Sequence, residues 1–581
     1  METGLLVIVS MGVFVQSLLT MYQRKESEES VAANRRNKTL GNVNLKNHFP
    51  YEEPREQQVH AIEIGLESLV NDNKRFFILE AGTGVGKSAI GLTLASIIDS
   101  QLSKDENSIP GSYTLTTQKI LQQQYINDFS KAPHYMLDLK SSSNYTCNFQ
   151  KKTSCGESLR ALKIADKSSP FFRSCMNNCV YKKAKEDFIH GKHGITNFSY
   201  FMAETSYAGK LKPRDVLIID EAHNVENELS KFIEVSISEA FVVKTLKKKM
   251  PNIRTQKQAY KWIKNEYLPE LKTYFAIIES KIEKLIGGRQ RLEQFEKLAR
   301  QIDVVDKHIC KIDRFLQVYS DDNWVFNDIA SYGMSSRKFE FKPIDISPFS
   351  HDLLFKFGRK VILMSATILD GDAFCDSLGI DKKDAQFVTI PSPFPVENRP
   401  VYYFPVGKMN AKEIDSTLPK LTEAVKSILE QHKGEKGIIH CHTFKIANHL
   451  KKTIRSKRLL IHDSFNRNEV LRKHIEGSKP TVLLSPSMTE GIDLSDDAGR
   501  FQIICKVPYP YLGDKLVKKR MYKWKWWYPL QTTKKIVQSV GRSIRNEKDF
   551  AVTYILDQDW DRFYSRNSSL FPETFKEALK E

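Results

Sequence analysis

Short, largely apolar runs recur along this chain. Phe76–Leu79, Tyr113–Thr117, Val216–Ile219 and Val361–Met364 form one set. Runs of this length without alternation suit strands buried on both faces of a parallel sheet. Between the first two, Ser88–Ile98 places its apolar residues at helical spacing. Strands alternating with helices predict an α/β core that begins near Phe49. A second set starts near Pro400 and predicts a second α/β unit: Gly437–His440, Leu459–Ile461, Val482–Leu484, Phe501–Val507 and Val552–Leu556.

Two stretches break this rhythm. Residues 135–190 interrupt the first core. Residues 235–335 are rich in Lys, Glu, Leu and Ile, with little Gly or Pro, and Leu271–Leu316 has the spacing of long amphipathic helices, so a helical insertion is expected there. At the start of the chain, Thr3–Tyr22 is mostly apolar and carries no charge. That is about the length of one membrane-spanning helix. Arg24 and Lys25 follow it, an order that would leave the rest of the chain in the cytoplasm. The stretch is either such an anchor or a dispensable extension, and residues 26–47 read as a polar linker.

Composition narrows the class. A chain of 581 residues holds two to four domains. With 88 Lys and Arg against 70 Asp and Glu, the net charge of +18 favours a polyanionic partner. Eight cysteines in this length do not make a secreted disulfide framework. Cys441 and Cys505 fall in apolar runs and read as core thiols.

The chemistry sits where the apolar runs end. After Phe76–Leu79 comes Glu80-Ala81-Gly82-Thr83-Gly84-Val85-Gly86-Lys87-Ser88, a glycine-rich loop opening a helix. Its backbone N–H groups can close on phosphate oxygens at the helix's positive end; Lys87 would reach the β and γ phosphates and Ser88 would ligate Mg²⁺. Asp220-Glu221-Ala222-His223 ends the Val216–Ile219 run. Asp220 there suits Mg²⁺, and Glu221 suits activation of an attacking water. Ser365-Ala366-Thr367 follows the next core run and can couple the nucleotide to a second domain. Gln538 to Arg545 supplies Gln538, Arg542 and Arg545; the arginines, three apart, are expected on one helical face as cations for a γ-phosphate. Gly491 and Asp493, in Thr489-Glu490-Gly491-Ile492-Asp493, form either a structural turn or a nucleotide-sensing loop.

Four of the eight cysteines fall between the glycine loop and the Asp220–His223 box. Seven residues separate Cys147 from Cys155, nineteen separate Cys155 from Cys175, and three separate Cys175 from Cys179. Four thiolates can hold a [4Fe–4S] cluster or a zinc ion. Zinc sites favour two tight pairs, so the uneven spacing leans towards iron–sulfur without deciding it. Among them lie Lys151, Lys152, Arg160, Lys163, Arg173, Lys182, Lys183 and Lys185, with Tyr145, Phe149, Phe171, Phe172 and Tyr181. Cations with aromatics suit single-stranded nucleic acid, or the rings merely cover the cysteines. A second patch, Lys523-Trp524-Lys525-Trp526-Trp527-Tyr528, reads mainly as core.

In content and order these motifs resemble the iron–sulfur helicases of superfamily 2, the XPD/DinG-like group, over residues 49–565. Arg55-Glu56-Gln57-Gln58 resembles the family's adenine-contacting motif, with Gln58 as its glutamine, and Ser392–Pro395 and Val507–Pro510 also look like family sequence. The resemblance implies an α/β fold of two RecA-like motor domains, the first carrying a four-cysteine iron–sulfur insertion and a helical arch. The expected division is 1–48 apolar segment and linker; 49–134, 191–234 and 336–398 first motor domain; 135–190 cluster domain; 235–335 arch; and 399–581 second motor domain. It implies Arg55, Gln58 and the Ala81–Ser88 loop for ATP; Ser88 and Asp220 for Mg²⁺; Lys87, Asp220, Glu221, Gln538, Arg542 and Arg545 for hydrolysis; and Cys147, Cys155, Cys175 and Cys179 for a [4Fe–4S] cluster.

The expected function is an ATP-dependent DNA helicase, moving 5′ to 3′ on single-stranded DNA and opening forked duplex, in repair or genome maintenance. It is expected as a cytoplasmic monomer, nucleoid-associated in a prokaryote, with a membrane tether through residues 3–22 left open. Two rivals remain: a zinc-containing RNA helicase, marked by preference for RNA, and an ATP-switched DNA-binding scaffold, marked by ATPase without strand displacement.

Overall fold

The computed structural model describes residues 43–580 apart from 83, 104, 152, 163–164, 210, 285–291, 332–334, 464–465, 487–493, 495, 542–543 and 545–547. The apolar stretch 3–22, Thr83, the loop Thr489–Asp493, Arg542 and Arg545 therefore lie outside the described residues. Among the described residues, no helix is long and apolar enough to cross a membrane.

Ten strands precede Pro400: β1 (Phe76–Ala81), β2 (Ile109–Thr116), β3 (Leu137–Asp138), β4 (His193–Asn197), β5 (Arg214–Asp220), β6 (Val235–Ser238), β7 (Trp324–Ile329), β8 (Lys338–Pro343), β9 (Gly358–Ser365) and β10 (Ala385–Ile390). Seven follow: β11 (Val401–Gly407), β12 (Gly437–His440), β13 (Leu459–Ile461), β14 (Val482–Ser485), β15 (Phe501–Ile504), β16 (Val552–Asp557) and β17 (Leu579–Lys580). They make two seven-stranded sheets, ordered β10-β1-β9-β5-β2-β4-β3 and β13-β14-β12-β15-β16-β11-β17. Their recorded pairings are parallel. The fold is thus α/β, with two RecA-like parallel sheets.

The unbroken apolar runs have a direct cause. Alternate side chains of a strand point to opposite faces, and here both faces are covered. Ile78, Leu115, Leu217 and Leu363 enter one core, while Phe77, Leu79, Ile218 and Ile362 enter the other. The helix Lys87–Gln101 lies over β5, β2 and β9 on the second face. In the second sheet Cys441 and Cys505 are fully buried in one core, as expected of core thiols.

Residues 235–335 are not helical throughout. The helices Leu268–Glu283 and Leu292–Val318 are there. At either end, however, β6, β8 and β7 form an antiparallel sheet in that order. Phe326 sits opposite Phe341, which is also opposite Val235. The apolar run Trp324–Phe326 and the alternation in Phe339–Phe341 carry this signal, and the Lys- and Glu-rich sequence around them hides it. The cysteine segment leaves the first sheet after β3 and rejoins it at β4. There Arg214, fully buried, donates to the carbonyls of Phe188 (2.8 Å) and Lys192 (2.6 Å) and pins the return.

Candidate functional site

β1, β9 and β5 are neighbours, and they stop at one level: Glu80 is paired with Ser365, and Met364 with Asp220. Parallel strands deliver their functional loops at their carboxyl ends. The three motif segments therefore emerge side by side.

The first segment is the loop from Gly82 to Lys87. Gly84 and Gly86 have φ of +88° and +85°, a region open to glycine without steric cost. A Cβ on Gly86 would strike Gln58 Nε2, and one on Gly84 the Phe394 ring. Gln58, buried, donates to the Val85 carbonyl at 2.9 Å, and Arg55 donates to the same oxygen at 3.1 Å. The Arg55-to-Gln58 motif thus braces the loop. Lys87 Nζ donates to the Ala81 carbonyl at 3.1 Å, lying back along the loop.

The second segment is acidic. Asp220 ends β5, buried. Glu221 N–H donates to its Oδ1 at 3.0 Å and the Tyr125 hydroxyl to its Oδ2 at 3.1 Å. Burial first, then the Glu221 charge, pushes its pKa up to about 6, against the pull of Lys87. Glu221 itself is left-handed, with φ of +52°, which costs a non-glycine residue about 1 kcal/mol.

From Glu221 a line of contacts runs towards the second sheet. His223 Nδ1 lies 3.2 Å from Glu221 Oε2 and 2.8 Å from Ser365 Oγ. Ser365 Oγ accepts from Thr367 N–H at 3.1 Å. Thr367 Oγ1 accepts from Gln538 Nε2 at 3.0 Å, and Gln538 belongs to the helix Trp527–Val540 of the second unit. The sequence placed Arg542 and Arg545 on the face of one helix; the helix Trp527–Val540 ends before them, and both lie outside the described residues.

The four cysteines come together. Cys147, Cys155, Cys175 and Cys179 all line one small cavity. Burial raises the Cys147 thiol, but hydrogen bonds from Ser158 and from the Gln150 and Phe149 N–H groups outweigh it, and the net shift is downward. Burial, with the charges of Cys147 and Cys179, pushes Cys175 up to about 11. Among the described residues, no group of three or more His, Cys, Asp or Glu could hold a metal ion as it stands. Tyr145 and Tyr181 pair with each other at 5.6 Å and are half-buried, so they cover the segment; Phe149 is exposed and lies 5.6 Å from Phe171. In the second patch Trp527 is buried and Trp524 and Trp526 are half-buried.

Sequence reasoning missed two participants. Tyr125, on the buried face of the helix Lys119–Phe129, carried no motif. Only the spacing of Gln122, Tyr125 and Phe129 marked it as inward-facing. Glu80 accepts from the N–H groups of Ile368 and Leu369 at 3.1 Å each, and burial raises its pKa. Facing it from the second unit is Lys534, whose pKa burial lowers.

Residues 427–578 match the family described as helicase C-terminal domain, and residues 51–250 match type III restriction enzyme, res subunit. Among curated relatives, the chain is 21% identical to the ATP-dependent DNA helicase YoaA of Haemophilus influenzae, over 87% of this chain and 90% of that one. It is 26% identical to the ATP-dependent DNA helicase DinG of Photobacterium profundum, over 38% of this chain and 34% of that one. Among solved structures it resembles an XPD helicase with a TM-score of 0.62 and 16% identity, over 91% of this chain and all of that one.

Proposed function

We propose, from the premise that this chain is an XPD/DinG-like helicase of superfamily 2, that it moves 5′ to 3′ along single-stranded DNA and parts forked duplex in repair or genome maintenance. That it is an ATP-hydrolysing DNA helicase agrees with relatives of that name along most of its length. The observation that carries the reading is the alignment of three adjacent strand ends bearing Lys87–Ser88, Thr367 and Asp220–Glu221, with Gln538 reaching them from the second sheet.

In this mechanism the loop N–H groups and Lys87 hold the phosphates, and Arg55 and Gln58 hold the loop and meet the adenine. Glu221 orients the attacking water and takes its proton. Gln538, Arg542 and Arg545 act from the second unit, and Gly491 and Asp493 sense the nucleotide. The Asp220 carboxylate and the Ser88 hydroxyl, oxygen donors that suit a hard cation, would hold Mg²⁺, which would offset charge on the phosphate oxygens.

The four thiols border one cavity, and four thiolates are a donor set that fits a [4Fe–4S] cluster. The cluster would tie residues 147–155 to the helix Pro170–Asn177 and fix the segment's shape. Residues 135–190 and 235–335 are then the cluster domain and arch of the first motor domain. Ion pairs Glu157–Arg300 (3.3 Å) and Arg160–Asp303 (3.5 Å) join the two. A monomer on forked DNA belongs to the same proposal; a tether through residues 3–22 rests on sequence alone.

Glu221→Gln tests the motor. ATP binding should persist while kcat falls by about 10²- to 10⁴-fold and strand displacement stops; retained turnover would remove Glu221 as the base. Wild-type protein should open a duplex with a 5′ tail and not one with a 3′ tail. Anaerobically purified protein should hold about four iron and four sulfide, whereas zinc without iron would favour the RNA-helicase rival.

A further inference from the structure

We infer that Tyr125 is a positioning residue for the magnesium–nucleotide site, holding the Asp220 carboxylate in the one arrangement it presents to a cation; this rests on the nucleotide site proposed above. Tyr125 is 3% exposed, with its ring edge-on to Phe129 at 5.5 Å. A phenylalanine would fill the same space without the cost of burying a hydroxyl. The hydroxyl is kept for a partner. It donates to Asp220 Oδ2 at 3.1 Å, and that bond meets the cost.

That bond has a directional consequence. With Glu221 N–H on Oδ1 and Tyr125 on Oδ2, each oxygen of Asp220 is engaged, so the carboxylate has one orientation. Tyr125 thus fixes the last residue of β5 from another element, the helix Lys119–Phe129. Partners of this kind, bonded to the ligands of a metal, tune affinity as strongly as ligands do.

The test is Tyr125→Phe, which keeps the ring and removes only the hydroxyl. Binding of a fluorescent ADP is measured across free Mg²⁺ and again in EDTA. Half-saturating Mg²⁺ should rise by about 10- to 100-fold, with Mg²⁺-free affinity and the EDTA melting temperature unchanged. Tyr125→Gln, which returns an N–H donor, should recover part of the loss. Should Tyr125→Phe melt early, the comparison passes to Tyr125→Gln against Tyr125→Leu, which are similar in size and differ in the donor. An unchanged Mg²⁺ half-saturation overturns the inference, as does an equal loss with and without Mg²⁺. Wild-type protein whose ADP binding ignores Mg²⁺ would instead overturn the nucleotide site itself.

Discussion

Removing the hydrogen bond between Gln538 and Thr367 should uncouple the second unit from the acidic pair. The bond is neutral, 3.0 Å long and links the two units. Such a bond contributes about 0.5–1.5 kcal/mol, or about 2- to 13-fold in rate if it is made only in the closed, hydrolysing state. Gln538→Ala should therefore cut DNA-stimulated kcat about fivefold. Thr367→Val, at a position 5% exposed, should do the same. KM for ATP should hold in both, because neither residue touches the Gly82–Lys87 loop. The decisive measurement is the double variant. If both residues act through one bond, the pair loses about fivefold and not about twenty-five-fold, a coupling of about 1 kcal/mol. Steady-state ATPase with saturating single-stranded DNA reads all four proteins, with melting temperatures to confirm folding. Multiplying losses, or losses below twofold, would refute the relay.

Three further outcomes follow from local geometry. Gly86→Ala should abolish nucleotide binding with the fold intact, because its Cβ would strike Gln58 and φ of +85° strains any L side chain; near-normal ADP affinity by calorimetry would contradict this. His134 is buried with neither ring nitrogen hydrogen-bonded, and burial, then the charges of His48 and Lys192, holds its pKa at about 4, below the ordinary 6.5. The unfolded chain then takes the proton first, so His134 leaves stability whole above pH 6.5 and removes about 1.4 kcal/mol per pH unit as pH falls towards 4; His134→Leu should flatten the melting curve over that window and leave pH 7 unharmed. Arg520 is buried, pairs with Glu226 at 2.6 Å and donates to the Ile344 carbonyl at 2.9 Å. Arg520→Met should lower the first thermal transition by an amount equivalent to about 3–5 kcal/mol, with partial recovery in Arg520→Met/Glu226→Gln, while Lys523→Met, breaking the more exposed pair with Asp345, costs no more than about 1.

Strands buried on both faces were legible because every position must be apolar: Phe76–Leu79 and Gly437–His440 needed no context. β4 was not, because His193-Gly194-Ile195-Thr196-Asn197 is largely polar. Its Thr196 hydroxyl is buried by donating to the Leu139 carbonyl at 2.7 Å, a contact 57 residues away. The glycine loop and the acidic pair were legible because phosphate and metal chemistry fixes residue type at fixed spacing. Tyr125, His134 and Lys534 were not, because each has its meaning only from distant partners. A tyrosine on an amphipathic helix looks the same whether its hydroxyl meets water or Asp220. The cysteines stood between these cases: their number and location were visible, but their common cavity required folding of segments as far apart as Cys147 and Cys179.

Coupling in this molecule follows from where strands stop. β1, β9 and β5 end together, so a change at the phosphate loop, at Ser365–Thr367 or at Asp220–Glu221 is felt at one edge of one sheet. The helix Trp527–Val540 meets that edge twice. Lys534 faces Glu80, the penultimate residue of β1, and Gln538 bonds Thr367, two residues past β9. Positions 534 and 538 are one turn apart and share a helix face. A single rigid element of the second unit therefore contacts two strand ends of the first, one by charge and one by hydrogen bond.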